Sequence, residues 1–173
     1  MAIWHPQLVV GHITDHLPLK IALESIVPQR INRVVKLTTE FLKALGISHP
    51  KIALAGVNPH AGENGLLGTE EIEVLKPAMK QLAKEGYPTL GPVSGDTVFY
   101  SALKGLYNGV IAMYHDQGFG PMKTLALNQS VNVTLGLPFI RTSPDHGTAF
   151  EIAGKHTADP SSMQAAWDLA CQL

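Results

Sequence analysis

The 173-residue sequence holds a single cysteine, Cys171, two residues from its end. One thiol excludes an internal disulfide and a cysteine-rich zinc module, and it suits a reducing compartment, read here as the cytoplasm. Charge of one sign is also scarce: 13 Lys and Arg stand against 14 Asp and Glu, a formal net charge of -1, with no basic or acidic block. A surface built to neutralise many phosphates needs an excess of cations, so nucleic acid is excluded as the main partner. No apolar stretch approaches the roughly 18–20 residues that span a bilayer, and the opening "MAIWHPQL" lacks the charged start and apolar run of a signal peptide. The expectation is a chain that neither crosses nor enters a membrane. Neither GxGxxG after a strand nor GxxxxGK[ST] occurs, which removes the usual dinucleotide fingerprint and the P-loop.

With 45% hydrophobic and 16% charged residues, one ordinary core is within reach, and a single unit over residues 1–173 is expected. Gln7 to Thr14 reads as a buried strand. Pro28 to Leu45 repeats apolar residues at helical spacing and closes at Gly46. The alternation continues with a strand over 51–56 and a helix over 69–86, opened by Thr69 and bent at Pro77. A helix over 96–106 capped by Asp96, a strand over 109–115, and short strands in "SVNVTLG" and "PFIRTS" follow. The chain ends in a helix within 155–173, with Asp159 as cap, Pro160 at its first position, and a stripe of Met163, Ala166, Trp167 and Ala170. Such alternation predicts a layered α/β/α domain with a mainly parallel sheet.

Ligands of such sheets collect beyond the carboxyl ends of the strands, and three of the eight histidines fall there. His16 follows the first strand, His60 lies in "NPHAGENG" after the second, and His115 ends the third in "AMYHDQG". Each alone reads as a hydrogen-bonded loop residue. Together, beside Asp15, Glu63 and Asp116, they have the composition of a divalent metal site with positions open to substrate. His12 is expected to be structural, and His5 to sit in a frayed start without a role. Downstream, Lys123, Asn132 and Arg141 offer a point charge, an amide and a planar fork to a small anion, or are a side chain and two solvated charges of no consequence. "SPDHGTA" reads as a turn at a helix start.

The ordered motifs "DHLPL", "NPHAGENGLLGTEE", "GPVSGDTVF", "YHDQG" followed by Lys123, "VNVTLGLPFIRTSPDHGTA" and "IAGK" resemble the 4-hydroxythreonine-4-phosphate dehydrogenase family from about residue 8 onward. The resemblance implies an isocitrate/isopropylmalate dehydrogenase-like fold. It also implies a homodimer whose metal site, holding Zn, Mg, Co or Mn, is shared between subunits through His16, His60 and His115. By the same resemblance Lys123, Asn132 and Arg141 contact a phosphorylated hydroxy acid, Lys123 with a catalytic role, while His146, Gly147 and Thr148 touch NAD or NADP. The implied reaction is oxidation and decarboxylation of 4-phosphohydroxy-L-threonine in pyridoxal phosphate biosynthesis, with 4-phospho-D-threonate or 4-phospho-D-erythronate as alternative substrates. Members of the family are about twice this long. The chain is therefore expected to be a truncated, metal-bearing half whose C-terminal helix packs toward an absent N-terminal domain, and which a separate N-terminal half completes. A non-catalytic metal-binding dimerisation remnant and a three-histidine metal hydrolase are the other readings.

Overall fold

A computed structural model describes residues 1–126 and 129–173. Its strands are β1 (Ala2–His5), β2 (Leu8–His12), β3 (Ile52–Ala55), β4 (Leu90–Val93), β5 (Gly109–Ala112), β6 (Val131–Val133) and β7 (Thr142–Pro144). Its helices are α1 (Leu19–Glu24), α2 (Pro28–Ala44), α3 (Lys76–Lys84), α4 (Val98–Leu103), α5 (His115–Ala126) and α6 (Ser161–Gln172). All seven strands join one sheet in the order β4-β3-β5-β2-β1-β6-β7. Pairing is parallel from β4 to β2 and antiparallel from β2 through β1 and β6 to β7.

Strand alternation sorts the apolar side chains onto two faces. Val9, Ile52, Leu54, Ile111, Val131 and Val133 share one core with residues of α2, α3 and α6. Ile3, Val10, Ala53, Val110 and Ala112 share the other with residues of α4 and α5. This is the expected layered α/β/α arrangement, and both faces of parallel strands β2, β3 and β5 are covered, which is why those three read as continuous apolar runs.

Several local expectations are corrected. His5 is not frayed: it closes β1, pairs with Leu8 and is buried. The strand over 109–115 stops at Ala112, and His115 instead opens α5, a helix that Gly118, Gly120 and Pro121 disguised as a loop. Gly118 earns its place by close approach, since a methyl group there would collide with the buried His12 ring. β4 was not foreseen. The helix over 69–86 opens at Thr69 as expected, its carbonyl accepting from the Ile72 and Glu73 N–H groups at 2.9 and 2.8 Å. It then passes through a π-helical turn over Glu71–Leu75 before α3, which has Pro77 in its first turn and ends at Lys84. Asp96 does not cap α4, which starts at Val98 after Thr97. Only Thr142–Pro144 of "PFIRTS" and its neighbour pair as a strand.

At the C-terminus the buried stripe of α6 is Ser162, Ala166 and Leu169, facing β6 and β7. Met163 and Trp167 are 57% and 68% exposed, so the predicted stripe was rotated by about one residue. The Asp159 carboxylate does accept from the Ser161 N–H at 3.0 Å, while Pro160 precedes the first helical residue.

Candidate functional site

The loops leaving β2 and β5 are tied together at the carboxyl end of the sheet. Ile13 N–H donates to the Ala112 carbonyl at 2.9 Å, and the Thr14 hydroxyl donates to the Met113 carbonyl at 2.8 Å. That stitching brings His16 and His115 side by side, with ring centres 5.1 Å apart. Both line a cavity of about 280 Å³ with Asp15, Tyr114 and Asp116. The His115 Nδ1 lies 2.7 Å from an Asp116 carboxylate oxygen, the kind of outer contact that fixes a ligand imidazole and its tautomer. Its ring stacks on Phe119 at 4.1 Å and 12°.

This donor pair fits a divalent cation. With metal–nitrogen bonds of roughly 2.0–2.1 Å and a tetrahedral angle, two coordinating imidazoles place their centres about 5 Å apart, and the observed 5.1 Å agrees. His60 stands apart from the pair. It lines an adjoining cavity of about 430 Å³, which shares Tyr114 and Asp116 with the first. Among the described residues, no group of three His, Cys, Asp or Glu side chains within one chain is close enough to hold a metal.

His60 owes its position to an uncommon backbone. His60, Ala61, Glu63 and Asn64, with Gly62 and Gly65 between and after them, all have left-handed φ values, from 43° to 97°. Four non-glycine residues in that region cost about 1–2 kcal/mol each. Opposing this is the buried Glu71, on the π-helical turn. Its Oε1 accepts from the Val57 and Asn58 N–H groups at 2.7 and 2.8 Å, and its Oε2 accepts from the Asn58 Nδ2 at 3.0 Å. Hydrogen bonds to a charged acceptor contribute about 1.5–3 kcal/mol each, the same order as the strain. The exposed Glu70 also accepts from Asn58 Nδ2, at 2.6 Å, and this bond holds its carboxyl below the usual range.

Sequence reasoning missed Glu71, and it missed Gln117. Gln117 Oε1 accepts from Met113 N–H and its Nε2 donates to the Gly56 carbonyl, both at 2.7 Å, so one side chain joins the ends of β3 and β5. The signals were present: "EE" after a glycine-rich turn, and a polar residue two positions past His115.

Electrostatics around the pair reflect burial. Desolvation raises the Asp15 carboxyl, with the N-terminal ammonium, His16, His115 and Arg30 opposing. His12, 1% exposed and 4.7 Å from Phe119 between ring centres, is pushed down to about 3, mainly by burial. It is neutral, in keeping with a structural residue.

The other candidates fall into two groups. Lys123 lies on α5 at the spacing His115, Phe119, Lys123, one side of a helix, with its Nζ 5.7 Å from the Phe119 ring centre. It also borders a cavity of about 980 Å³ that contains His146, Gly147 and Thr148. Lys123 thus stands between the histidine pair and the proposed cofactor loop. Asn132, on β6, donates to the Met1 sulfur at 3.0 Å, and its buried Oδ1 has no partner among the described residues. Arg141 is exposed and donates to the Thr134 hydroxyl at 2.6 Å. His146 is exposed, its Nδ1 2.9 Å from the Gly147 carbonyl oxygen.

Comparison with known proteins gives a consistent result. Residues 1–170 match the family described as pyridoxal phosphate biosynthetic protein PdxA. The chain is 50% identical to a putative D-threonate 4-phosphate dehydrogenase of Oceanobacillus iheyensis, with 100% of this chain and 52% of the relative aligned. It is 47% identical to the 4-hydroxythreonine-4-phosphate dehydrogenase of Bradyrhizobium diazoefficiens, over 100% of this chain and 50% of that one. A crystal structure of 4-hydroxythreonine-4-phosphate dehydrogenase from Klebsiella pneumoniae superposes with a TM-score of 0.90 at 46% identity, covering 99% of this chain and 52% of its own. The chain therefore spans about half the length of the curated relatives it matches.

Proposed function

The chain belongs to the PdxA family, and from that premise we propose that it supplies the metal- and substrate-binding half of an NAD- or NADP-dependent dehydrogenase of 4-phosphorylated hydroxy acids. The observation that carries this reading is the His16–His115 pair, 5.1 Å between ring centres, just beyond the carboxyl ends of the paired parallel strands β2 and β5. In it, His16, His60 and His115 hold one divalent cation, Zn, Mg, Co or Mn, in a site that two copies of the chain complete. A bound cation would supply Lewis-acid polarisation of the substrate hydroxyl, and of the ketone that replaces it.

The protein's own groups do the rest. Asp116 holds the His115 ring by its Nδ1. Lys123 receives the hydroxyl proton or orients an anionic group of the substrate, as hydride leaves the carbinol carbon for the nicotinamide. Asn132 and Arg141 bind the substrate's polar and anionic groups, and His146, Gly147 and Thr148 border the cofactor. The resulting β-keto acid loses CO₂, the bond's electron pair passing toward the ketone oxygen.

The substrate is 4-phosphohydroxy-L-threonine in this reading. Relatives named for D-threonate 4-phosphate match as strongly as one named for 4-hydroxythreonine-4-phosphate, 50% and 47% against 47%, which supports 4-phospho-D-threonate as the second candidate, with 4-phospho-D-erythronate as its close chemical variant. The test combines the chain with Zn²⁺ or Mn²⁺, NAD and each phosphorylated acid, with and without a relative's remaining half added as a separate chain, and follows NADH absorbance. NADH formation in any arm supports the dehydrogenase. Metal binding without NADH in every arm would mark a non-catalytic remnant, and hydrolysis without NAD a metal hydrolase.

A further inference from the structure

Glu71 is a buried carboxylate to which the proposed mechanism gives no part. Among the described residues, its carboxylate accepts hydrogen bonds from Val57 and Asn58, the two residues that lead into the His60 turn. On the far side of His60, Gly62 packs so closely that an added methyl would sit 2.6 Å from Glu71 Oε2, and Gly56 would meet Oε1 at 3.2 Å. The carboxylate therefore brackets His60 from both directions along the chain. Its own backbone is anchored through the same π-helical turn, whose Leu75 is fully buried and whose continuation into α3 buries Ala78 and Leu82 against the core. Single π turns of this kind are concentrated at functional sites.

We infer that Glu71 is a positioning residue for His60: its carboxylate sets the left-handed turn, and through it the approach of the His60 imidazole to the metal site. The inference rests on the proposed role of His60 as a metal ligand. Glutamine at position 71 keeps the shape but not the pattern. With its oxygen in the Oε1 place it still accepts from both N–H groups, but its NH₂ then faces the Asn58 Nδ2, donor against donor. Glu71→Gln should therefore fold and loosen the turn, whereas Glu71→Ala removes all three bonds.

The experiment compares wild type, Glu71→Gln, His60→Ala and the double variant by two measurements. Co²⁺ binding is followed by calorimetry and by the visible absorption of the bound ion. Ring signals of ¹⁵N-labelled histidine are recorded in metal-free protein, with buried His12 as the control. Expected for Glu71→Gln is Co²⁺ affinity lower by about 10–100-fold, the range seen when residues that orient a ligand are removed. Displaced or broadened His60 signals, unchanged His12 signals, and a double variant no weaker than His60→Ala complete the expectation.

Wild-type affinity and unshifted His60 signals in Glu71→Gln would overturn the inference. So would an equal loss in the His60→Ala background, because the effect would then bypass His60. If His60→Ala binds Co²⁺ like wild type, the metal role of His60 falls on its own. The positioning role is then decided by the histidine signals, which stay in place if it is wrong.

Discussion

The two halves of the sheet hold their candidate residues differently. On the parallel side, from β4 to β2, two of the three candidate histidines have support of their own, His115 from Asp116 and the Phe119 ring, and His60 from the Glu71 clamp. The loops beneath are held by Thr14 and Gln117, and His16 is exposed beside His115. On the antiparallel side, Arg141 and His146 are exposed, and the Asn132 side chain reaches a methionine sulfur while its amide oxygen has no partner among the described residues. The proposed metal site needs donors fixed in advance, and His60 and His115 have such support. A substrate or cofactor edge gains its order when a ligand arrives.

That contrast predicts unequal responses. Replacing both His16 and His115 by Ala should remove measurable Co²⁺ binding, a loss of at least about 100-fold, while His5→Ala, now known to alter a buried strand end, should lower stability and leave Co²⁺ affinity alone. Titration calorimetry reads both, and comparable losses of affinity would erase the distinction between the two sides. Gly62→Ala should cost about 2–5 kcal/mol by chemical denaturation, since a side chain at φ 78° is strained and its methyl would displace Glu71 from its partners. Gly147→Ala, with open space around it on the antiparallel side, should stay within about 0.5 kcal/mol.

Acid should find the parallel side through His12. In the unfolded chain this imidazole takes a proton near its ordinary value of 6.5, but in the fold it resists until about 3. Between those values the unfolded state binds the extra proton, so stability falls as pH falls, by up to about 1.4 kcal/mol per pH unit. Above the upper value the effect is gone. Asp15, whose carboxyl is raised, acts in the opposite sense, since the fold takes up its proton first on acidification. Denaturation of wild type and His12→Asn between about pH 6.5 and pH 4 should show the steeper loss in wild type. Parallel curves would mean that His12 is not held neutral.

How much could be read beforehand follows the same division. Parallel strands β2, β3 and β5 announce themselves because both faces are buried, and His16 and His115 were singled out because each sits just past one of them. β1 and β4 were missed: one is four residues long and contains Trp4 and His5, the other is "LGPV", with two residues that weaken strands. α5 was missed because glycines and a proline lower local helix propensity, and tertiary packing against β2 and β5 overrides them. Glu71 was passed over for another reason, although its "EE" pair stood in view. Its role depends on a turn of left-handed residues, and nothing in the spacing of "NPHAGENG" distinguishes that turn from an ordinary one.

The smallest expected effect tests the antiparallel side itself. Arg141→Lys keeps the charge and gives up the planar fork, which now bonds Thr134. In the restored enzyme this should weaken substrate capture several-fold, about 1 kcal/mol, seen as a raised KM with little change in kcat, because a binding contact shared by ground and transition states is lost. Co²⁺ affinity should not move, since β1 and β6 separate Arg141 from the strand that leads to His16. A matching drop in Co²⁺ affinity would mean that the antiparallel edge also shapes the metal site, and the two sides would then have to be treated as one preorganised unit.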